Sequence, residues 1–208
     1  MTMAFNAIQN VILIFPDERP VFLREANNNM YSVSAYFWAK IISEFPSSLL
    51  TPALFGSIVY YAIGLNTAVW DKFPLFLLIV FLIYNASSGY ALIIGTCFSD
   101  KQLAVTLTPV LIIPFMLFAG FFVTQNNIPS FLIVFQYMSI FKYGYQALTQ
   151  NEFDDLVNNG CLMPDCNPHD YAENTNGFWE SIGALAIMYV GFYLISLCIL
   201  IKLSKKYE

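Results

Sequence analysis

The residues best suited to chemistry in this 208-residue chain are two cysteines, Cys161 and Cys166, five positions apart. They lie in the segment 151–180, which holds seven acidic residues and the only histidine, His169, but no lysine or arginine. In an oxidising compartment such a pair forms a disulfide; the alternatives are free thiols or a bridge to a partner subunit. A zinc site that used His169 would need four ligands, and this segment offers few.

Other catalytic patterns are absent from the sequence. There is no Gly-x-x-x-x-Gly-Lys phosphate loop, no Ser/His/Asp set and no pair of carboxylates facing each other inside an apolar stretch. Ionisable groups deep in a membrane usually mark ion or proton paths, and the apolar stretches contain almost none. We therefore expect no catalytic residue, metal or cofactor in this chain. An apolar, aromatic-rich interior favours a hydrophobic or amphipathic solute instead.

The composition predicts an all-α membrane protein. The chain is 58% hydrophobic and 11% charged, whereas soluble domains carry about 25% charged residues. A membrane helix needs about 20 apolar residues. Uncharged windows place spans at 45–70, 73–99, 102–123 and 181–201. The first 16 residues are also uncharged and read as the end of a further crossing, with a cleaved signal peptide as the alternative.

With five crossings, the basic residues fall mainly on one side. Seven of the nine lie there, and only Lys72 and Lys142 lie on the other. Because short basic loops stay cytoplasmic, we predict a cytoplasmic C-terminus and an acidic segment that faces the exterior or a lumen. The seven are Arg19, Arg24, Lys40, Lys101, Lys202, Lys205 and Lys206.

Local signals divide the chain further. We expect the first helix to end at about Phe15, broken by Asp17–Pro20, with a short amphipathic helix at Pro20–Glu25 inside a cytoplasmic loop of about 16–31. The next helix should run over 33–65, with Lys40 and Glu44 paired one turn apart. The uncharged run 102–141 holds one span and then a shorter apolar piece, predicted as a re-entrant helix over about 128–148.

Small residues and lone cysteines mark packing positions. The small residues at 86–89, 91 and 95 allow close helix approach, either within one chain or, less favoured by the pattern, at a dimer seam. Cys97 and Cys198 lie in apolar spans, where we expect them to be packing residues. No internal repeat or flexible linker divides the chain, which reads as one membrane domain over 1–208.

Three segments resemble the G-subfamily (White-type) ABC half-transporters. The first is Phe15–Glu25, which is similar to the family's cytoplasmic loop with its Pro/acid pair, Phe and Arg-Glu. The second, Tyr137–Phe153, carries the family's Tyr-Gly-aromatic, Ala-Leu and Asn-Glu-Phe elements, and the third, Leu200–Tyr207, is similar to its C-terminus. They occur in the family's order, so the resemblance covers essentially all 208 residues.

The resemblance implies a type II ABC exporter (G-subfamily-like) transmembrane domain from its second to its sixth helix. That is about five transmembrane helices plus one re-entrant helix, with the outer re-entrant helix and loop over about 124–177. The family's first span and its nucleotide-binding domain, which carries ATP and Mg, would lie outside this chain. The implied partners are a second half-transporter, as homo- or heterodimer, the nucleotide-binding domain, membrane lipid and a hydrophobic solute; nucleic acid is not expected.

Carried over by position, the resemblance also implies site residues. Val21, Phe22, Arg24 and Glu25 would form a coupling helix that rests on the nucleotide-binding domain, with a plain membrane-surface loop as the alternative. A central cavity between two subunits and a gate above it would involve further residues, for which ordinary helix packing is the alternative. The cavity residues are Phe5, Asn6, Pro109, Ile113 and Met116, and the upper gate residues are Phe121 and Phe122.

The implied function is ATP-driven export of a hydrophobic or amphipathic molecule, such as a lipid, sterol or xenobiotic, across a plasma membrane or endomembrane. The alternative is a membrane scaffold or a lipid- or partner-binding module without transport of its own. Met3, Pro109 and Phe121 replace residue types that are common in multidrug members of the family. The solute therefore does not follow from the resemblance.

The predicted orientation can be tested on intact cells. Impermeant thiol reagents and added protease should reach residues 154–176 and spare the C-terminal lysines, because five crossings place these segments on opposite sides. Protection of 154–176 together with exposure of Lys202 from outside would contradict the orientation.

Overall fold

The computed structural model describes residues 1–28, 30–65, 72–98, 100–117, 119, 133–158 and 177–207. These residues form seven helices and no strand, which confirms the all-helical prediction. Three helices are long and apolar enough to cross a membrane, at Val33–Ile63, Lys72–Cys97 and Phe178–Ser204, and Lys101–Leu117 is a shorter apolar helix. The helices are α1 (Thr2–Asn27), α2 (Val33–Ile63), α3 (Lys72–Cys97), α4 (Lys101–Leu117), α5 (Ile133–Tyr137), α6 (Ile140–Asn158) and α7 (Phe178–Tyr207).

The predicted break in the first helix is wrong. α1 continues through Pro16 and Pro20 to Asn27, so the stretch predicted as a loop from about residue 16 is helical for most of its length. Each internal proline costs about 3 kcal/mol. The cost is offset because buried side chains recur every three or four residues on both sides of the prolines, and each buried Phe contributes about 1.5–3 kcal/mol. The buried positions of α1 include 4, 8, 11, 15, 19, 22 and 26.

α2 ends at Ile63, close to its predicted end. Gly64 has a φ of +73°, a left-handed conformation that is open to glycine at little cost. The amide of Leu65 then donates to the carbonyl of Tyr60 at 3.2 Å, the bond expected of a glycine-terminated helix. This geometry stops the helix two residues before the predicted end at Leu65.

The chain divides into two compact units. The first comprises Met1–Thr51, Tyr84–Leu111 and Ile187–Glu208. Its core is built on glycines of α3: Gly95 faces the Phe15 ring, and Gly89 faces Phe192 and Tyr193 on α7. The predicted use of small residues for close packing within one chain is thus seen in this unit.

The second unit comprises Pro52–Ile83 and Ile112–Ala186. In it, α6 is bound to the start of α3: the Asn151 amide donates to the Lys72 carbonyl, and the Lys72 ammonium donates to the Glu152 carbonyl, each at 3.3 Å. Gly144 of α6 packs against Ile83, and Ser139 donates to the Phe115 carbonyl at 2.7 Å. Neighbouring protein groups therefore bind the polar positions of this segment.

The segment predicted as re-entrant is two helices, α5 and α6, separated at Met138 and Ser139. α6 continues to Asn158, ten residues beyond the predicted end at about Leu148. Lys142 is 2% exposed, and its ammonium lies 4.5 Å from the centre of the Tyr137 ring. At this break Ser139 and Lys142 are buried by protein, whereas Tyr137 and Met138 are more than half exposed.

The predicted packing role of Cys97 and Cys198 is wrong. Both are free and exposed in the structure. On α7 the buried face carries Phe192, Ser196 and Leu200, and a residue two positions from Ser196 points away from that face because a helix turns about 100° per residue.

A substitution at Gly89 tests the α3–α7 packing of the first unit. A Cβ atom there would lie 2.8 Å from the Tyr193 ring and 3.1 Å from the Phe192 Cβ, whereas one at Gly191 would meet nothing within 4 Å. We expect Gly89→Leu to lower the free energy of unfolding by about 1–3 kcal/mol and Gly191→Leu to leave it nearly unchanged. Thermal unfolding of the detergent-solubilised protein, followed by circular dichroism, measures both; equal losses would contradict the close packing.

Candidate functional site

The predicted coupling residues occupy the last turns of α1, in the first unit. Val21 is 55% exposed and Arg24 is also exposed, whereas Phe22 is 1% exposed and faces inward with Ala26. Exposed and buried residues alternate here because helical neighbours three or four apart share a face. The structure therefore separates the four predicted residues into an outward pair, an inward Phe22 and the half-buried Glu25.

Aromatic stacking fixes the inward side of this segment. The Phe22 ring stacks on Tyr36 of α2, with centroids 4.4 Å apart and planes at 28°, and Tyr31 lies against both rings. The Tyr31 hydroxyl donates to the Glu25 carboxylate at 2.6 Å. Partial burial, with the hydrogen bond to Glu25 and its charge, raises the pKa of Tyr31 to about 12, so the hydroxyl stays a donor at neutral pH. Glu25 thus holds the chain as it turns from α1 to α2.

An ion cluster joins the same region of α1 to α2. The Lys40 ammonium contacts the carboxylates of Glu18 on α1 and Glu44 on its own helix, the latter at 2.9 Å. The Tyr36 hydroxyl donates to Glu18 at 3.3 Å, and Lys40 lies 5.5 Å from the centre of the Phe15 ring. The predicted Lys40–Glu44 pair is confirmed, and Glu18 is an addition to it.

A second ion pair ties α1 to α4. The Lys101 ammonium lies 2.5 Å from the Asp17 carboxylate, and both side chains are partly exposed. Asp100 prepares the start of α4, because its side chain accepts the amide of Gln102 at 2.9 Å, as helix-capping residues do. Adjacent acids on α1, Asp17 and Glu18, therefore hold two different helices.

Most of this cluster was not predicted from the sequence. The Lys40–Glu44 pair was predicted because its spacing is local, but Asp17, Glu18 and Tyr36 meet their partners across 84, 22 and 18 residues. One signal was available: a lysine within an apolar helix needs compensation, and the acids of the preceding helix are Asp17, Glu18 and Glu25. That pattern could have predicted a link without specifying its geometry.

The predicted cavity residues lie on outward faces. Phe5 is 42% exposed and Asn6 is also exposed on α1, and Ile113 is 46% exposed on α4. Pro109 and Met116 are partly exposed on the same helix. These faces are open to a solute or a second subunit, and the cavity roles stay predictions. Phe121, Phe122, Cys161 and Cys166, with their predicted gate and disulfide roles, lie outside the described residues.

Groups able to carry out covalent chemistry are not gathered in the part of the chain that the structure describes. No group of three or more His, Cys, Asp or Glu side chains there could hold a metal ion. What the arrangement provides is mechanical. The exposed Val21 and Arg24 lie on a helix end that is held through buried aromatic rings and through ion pairs to two other helices.

Comparison with known proteins gives a consistent result. Residues 1–153 match the protein-family model described as ABC-2 type transporter. The ABC transporter ATP-binding protein/permease wht-1 of Caenorhabditis elegans is 37% identical over 170 residues, covering 78% of this chain and 25% of that protein. Protein white of Drosophila melanogaster is 36% identical over 154 residues, covering 74% of this chain and 22% of that protein.

A third relative matches almost the whole chain. The broad substrate specificity ATP-binding cassette transporter ABCG2 of Sus scrofa is 31% identical over 217 residues, covering 97% of this chain and 33% of that protein. The chain spans about a quarter of the length of the first two relatives.

Lysine removal distinguishes the two ion pairs. The Lys40 side chain is 10% exposed and that of Lys101 is 42% exposed. Loss of a buried charged hydrogen-bonding partner costs about 1.5–3 kcal/mol, whereas an exposed pair contributes about 0–1 kcal/mol. We therefore expect Lys40→Gln to lower thermal stability in detergent clearly more than Lys101→Gln. Equal effects would show that the Lys40 cluster does not hold α1 to α2.

Proposed function

This chain belongs to the ABC-2 type transporter family and is homologous to G-subfamily transporters over most of its length, and we propose that it forms the membrane-spanning part of an ATP-driven exporter of hydrophobic or amphipathic molecules. Its fold in the membrane would be five crossings and one re-entrant helix, formed by α5 and α6. α1 and α4 would supply the two crossings that are not among the three long apolar spans. The C-terminus would be cytoplasmic.

The observation that carries this proposal is the construction of α1. It is one helix of 26 residues, about 39 Å long at 1.5 Å per residue. One exposed face of it carries the predicted cavity residues Phe5 and Asn6 near its start and Val21 and Arg24 near its end. A push on the end of a continuous helix is delivered to its other end, which a helix broken at Asp17–Pro20 would not do.

The ion pairs would extend that movement to other helices. Glu18 and Asp17 attach α1 to Lys40 of α2 and Lys101 of α4. A nucleotide-binding domain pressing on Val21 and Arg24 would therefore move more than one helix of the first unit at once. ATP and Mg would be bound by that domain, and this chain would supply none of the hydrolytic residues.

Export requires that the open and the closed conformations of the transporter bind the solute with different affinities. Two copies of the domain, identical or related, would enclose an apolar cleft that the outward faces of α1 and α4 line through Phe5, Asn6, Pro109, Ile113 and Met116. Closing the cleft removes apolar contact area between protein and solute. The binding free energy becomes less favourable by about 25 cal/mol for each Å² of that area that is lost. Phe121 and Phe122 would gate the outer end, and Cys161 and Cys166 would form a disulfide in the outer loop.

Variants of the coupling residues test the function in the full-length transporter, reconstituted with a panel of sterol, phospholipid and drug solutes. We expect Arg24→Ala with Glu25→Ala to leave basal ATP hydrolysis largely intact and to reduce solute movement per ATP, because the exposed contact and the Glu25–Tyr31 support are both lost. Solute movement and phosphate release, measured on the same vesicles, give the ratio.

Lys202→Ala is the matched control, because Lys202 is an exposed basic residue near the C-terminal end of α7. Tyr31→Phe removes the same hydrogen bond as the change at Glu25 but leaves Arg24 in place. It therefore distinguishes loss of the Glu25–Tyr31 hydrogen bond from loss of the exposed contact at Arg24. A transport ratio that is unchanged in the double variant would remove the coupling role. Lack of any solute-dependent hydrolysis in the unmodified protein would favour a membrane scaffold without transport.

A further inference from the structure

A cavity of about 330 Å³, partly open to the outside, lies in the first unit among α1, α2, α3 and α7. Ligand sites in proteins typically begin at about 300 Å³. None of the five residues predicted for the central cleft lines it. The cavity is therefore separate from that cleft and belongs to a single copy of the chain.

The lining of this cavity is unusually polar for a set of apolar helices. Asn10 and Asn85 contribute amides, and Ser47, Ser48 and Ser88 contribute hydroxyls. Asn85 and Ser88 are 3% and 5% exposed, so part of this polar surface is deep in the unit. Several hydrogen-bonding groups thus converge on one space that is too large for a single water, which occupies about 30 Å³.

One charged group reaches the cavity. Glu44 is the only ionisable acid or base among its lining residues apart from tyrosines, and no lysine or arginine lines it. The other walls include the rings of Phe45, Tyr84, Tyr189 and Tyr193. Glu44 is paired with Lys40, but the cluster of Glu18, Glu44 and Lys40 holds two carboxylates and one ammonium. Its net negative charge beside the aromatic rings favours a cationic or hydroxylated group over an anion.

A second, smaller space of about 110 Å³ adjoins the cavity, and the two share Ile41, Tyr189 and Tyr193 as lining residues. The rest of its lining is apolar, and Trp38 and Leu194 are 55% and 53% exposed. The apolar space thus begins at the wall of the polar cavity and reaches the outer surface between α2 and α7. Its remaining lining residues are Phe37, Trp38, Val190, Leu194 and Leu197.

We propose that these two spaces form one binding site for an amphiphile with a non-anionic, hydrogen-bonding headgroup. The headgroup occupies the cavity beside Glu44 and Asn85, and the hydrocarbon chain passes between Ile41 and Tyr193 to lie along Trp38 and Leu194. The polar and apolar halves match the two halves of such a molecule, and the exposed end of the groove opens where a membrane-embedded helix would meet lipid. This site does not depend on the proposed transport.

Photolabelling of the purified chain in nanodiscs tests the site without any measurement of ATP hydrolysis. The probe is sphingosine with a diazirine in its chain, which carries an amine and two hydroxyls, and the comparison probe is palmitate with the same diazirine, which is anionic. We expect sphingosine to label peptides that contain Trp38 and Leu194, and palmitate to label them about tenfold less, corresponding to about 1.4 kcal/mol.

Cavity filling provides the matched control. Ser48 and Ser57 are both half-buried on α2 and donate to carbonyls of their own helix at 2.9 and 2.7 Å, but only Ser48 lines the cavity. Ser48→Phe should reduce sphingosine labelling at Trp38 and Leu194 about tenfold, and Ser57→Phe should not.

The remaining outcomes overturn the proposal. Equal labelling by the two probes would exclude selection of the headgroup, and labelling of the unmodified chain spread evenly over its outer helix faces would exclude a site. If size-exclusion chromatography shows that Ser48→Phe does not fold, the test is the labelling of the unmodified chain. The peptides labelled by sphingosine are then compared with those labelled by palmitate.

Discussion

The first unit depends on the compensation of one cation in apolar surroundings. The Lys40 ammonium lies on a helix that is long and apolar enough to cross a membrane, with its side chain 10% exposed. Leaving such a charge unpaired would cost several kcal/mol, so the position of Glu18 is fixed relative to α2. Glu18 in turn fixes the rotation of α1, which places Phe15 and Phe22 inward and Val21 and Arg24 outward.

That rotation explains why α1 remains a helix through two prolines. The buried stripe needs the same helical phase before Pro16 and after Pro20, and the ion pairs of Asp17 and Glu18 lie between them. A break would move Phe22 away from Tyr36 and carry the two acids away from their lysines. Tertiary contacts on each side of the prolines therefore outweigh the local preference to end the helix. The same contacts make the helix suitable to transmit a push.

The sequence was sufficient for the features that depend on composition and on local spacing. All-helical structure, the Lys40–Glu44 pair and the use of Gly89 and Gly95 for close packing follow from hydropathy, from a four-residue interval and from side-chain size. The break in α1 was wrongly predicted because prolines usually end a helix. In this helix the three- to four-residue spacing of buried side chains continues through both prolines. Cys198 was wrongly placed because hydropathy locates a span without telling which of its faces is covered. Long-range links such as Asp17 to Lys101 could be seen only in the structure. Nothing in the local sequence tells whether Asp17 or its neighbour Glu18 pairs with Lys101.

Glu44 connects the ion cluster that joins α1 to α2 with the polar cavity of the same unit. One of its carboxylate oxygens bonds to Lys40, and the same side chain lines the polar space among α1, α2, α3 and α7. A molecule held there would therefore meet a carboxylate that also pairs with Lys40, the residue of α2 that contacts Glu18 of α1. If its affinity differs between two positions of α1, thermodynamic linkage requires the molecule to favour one of those positions by the same free energy. An amphiphile bound to a single copy of the chain would then bias the position of the helix on which the nucleotide-binding domain is proposed to act, without entering the proposed cleft between subunits.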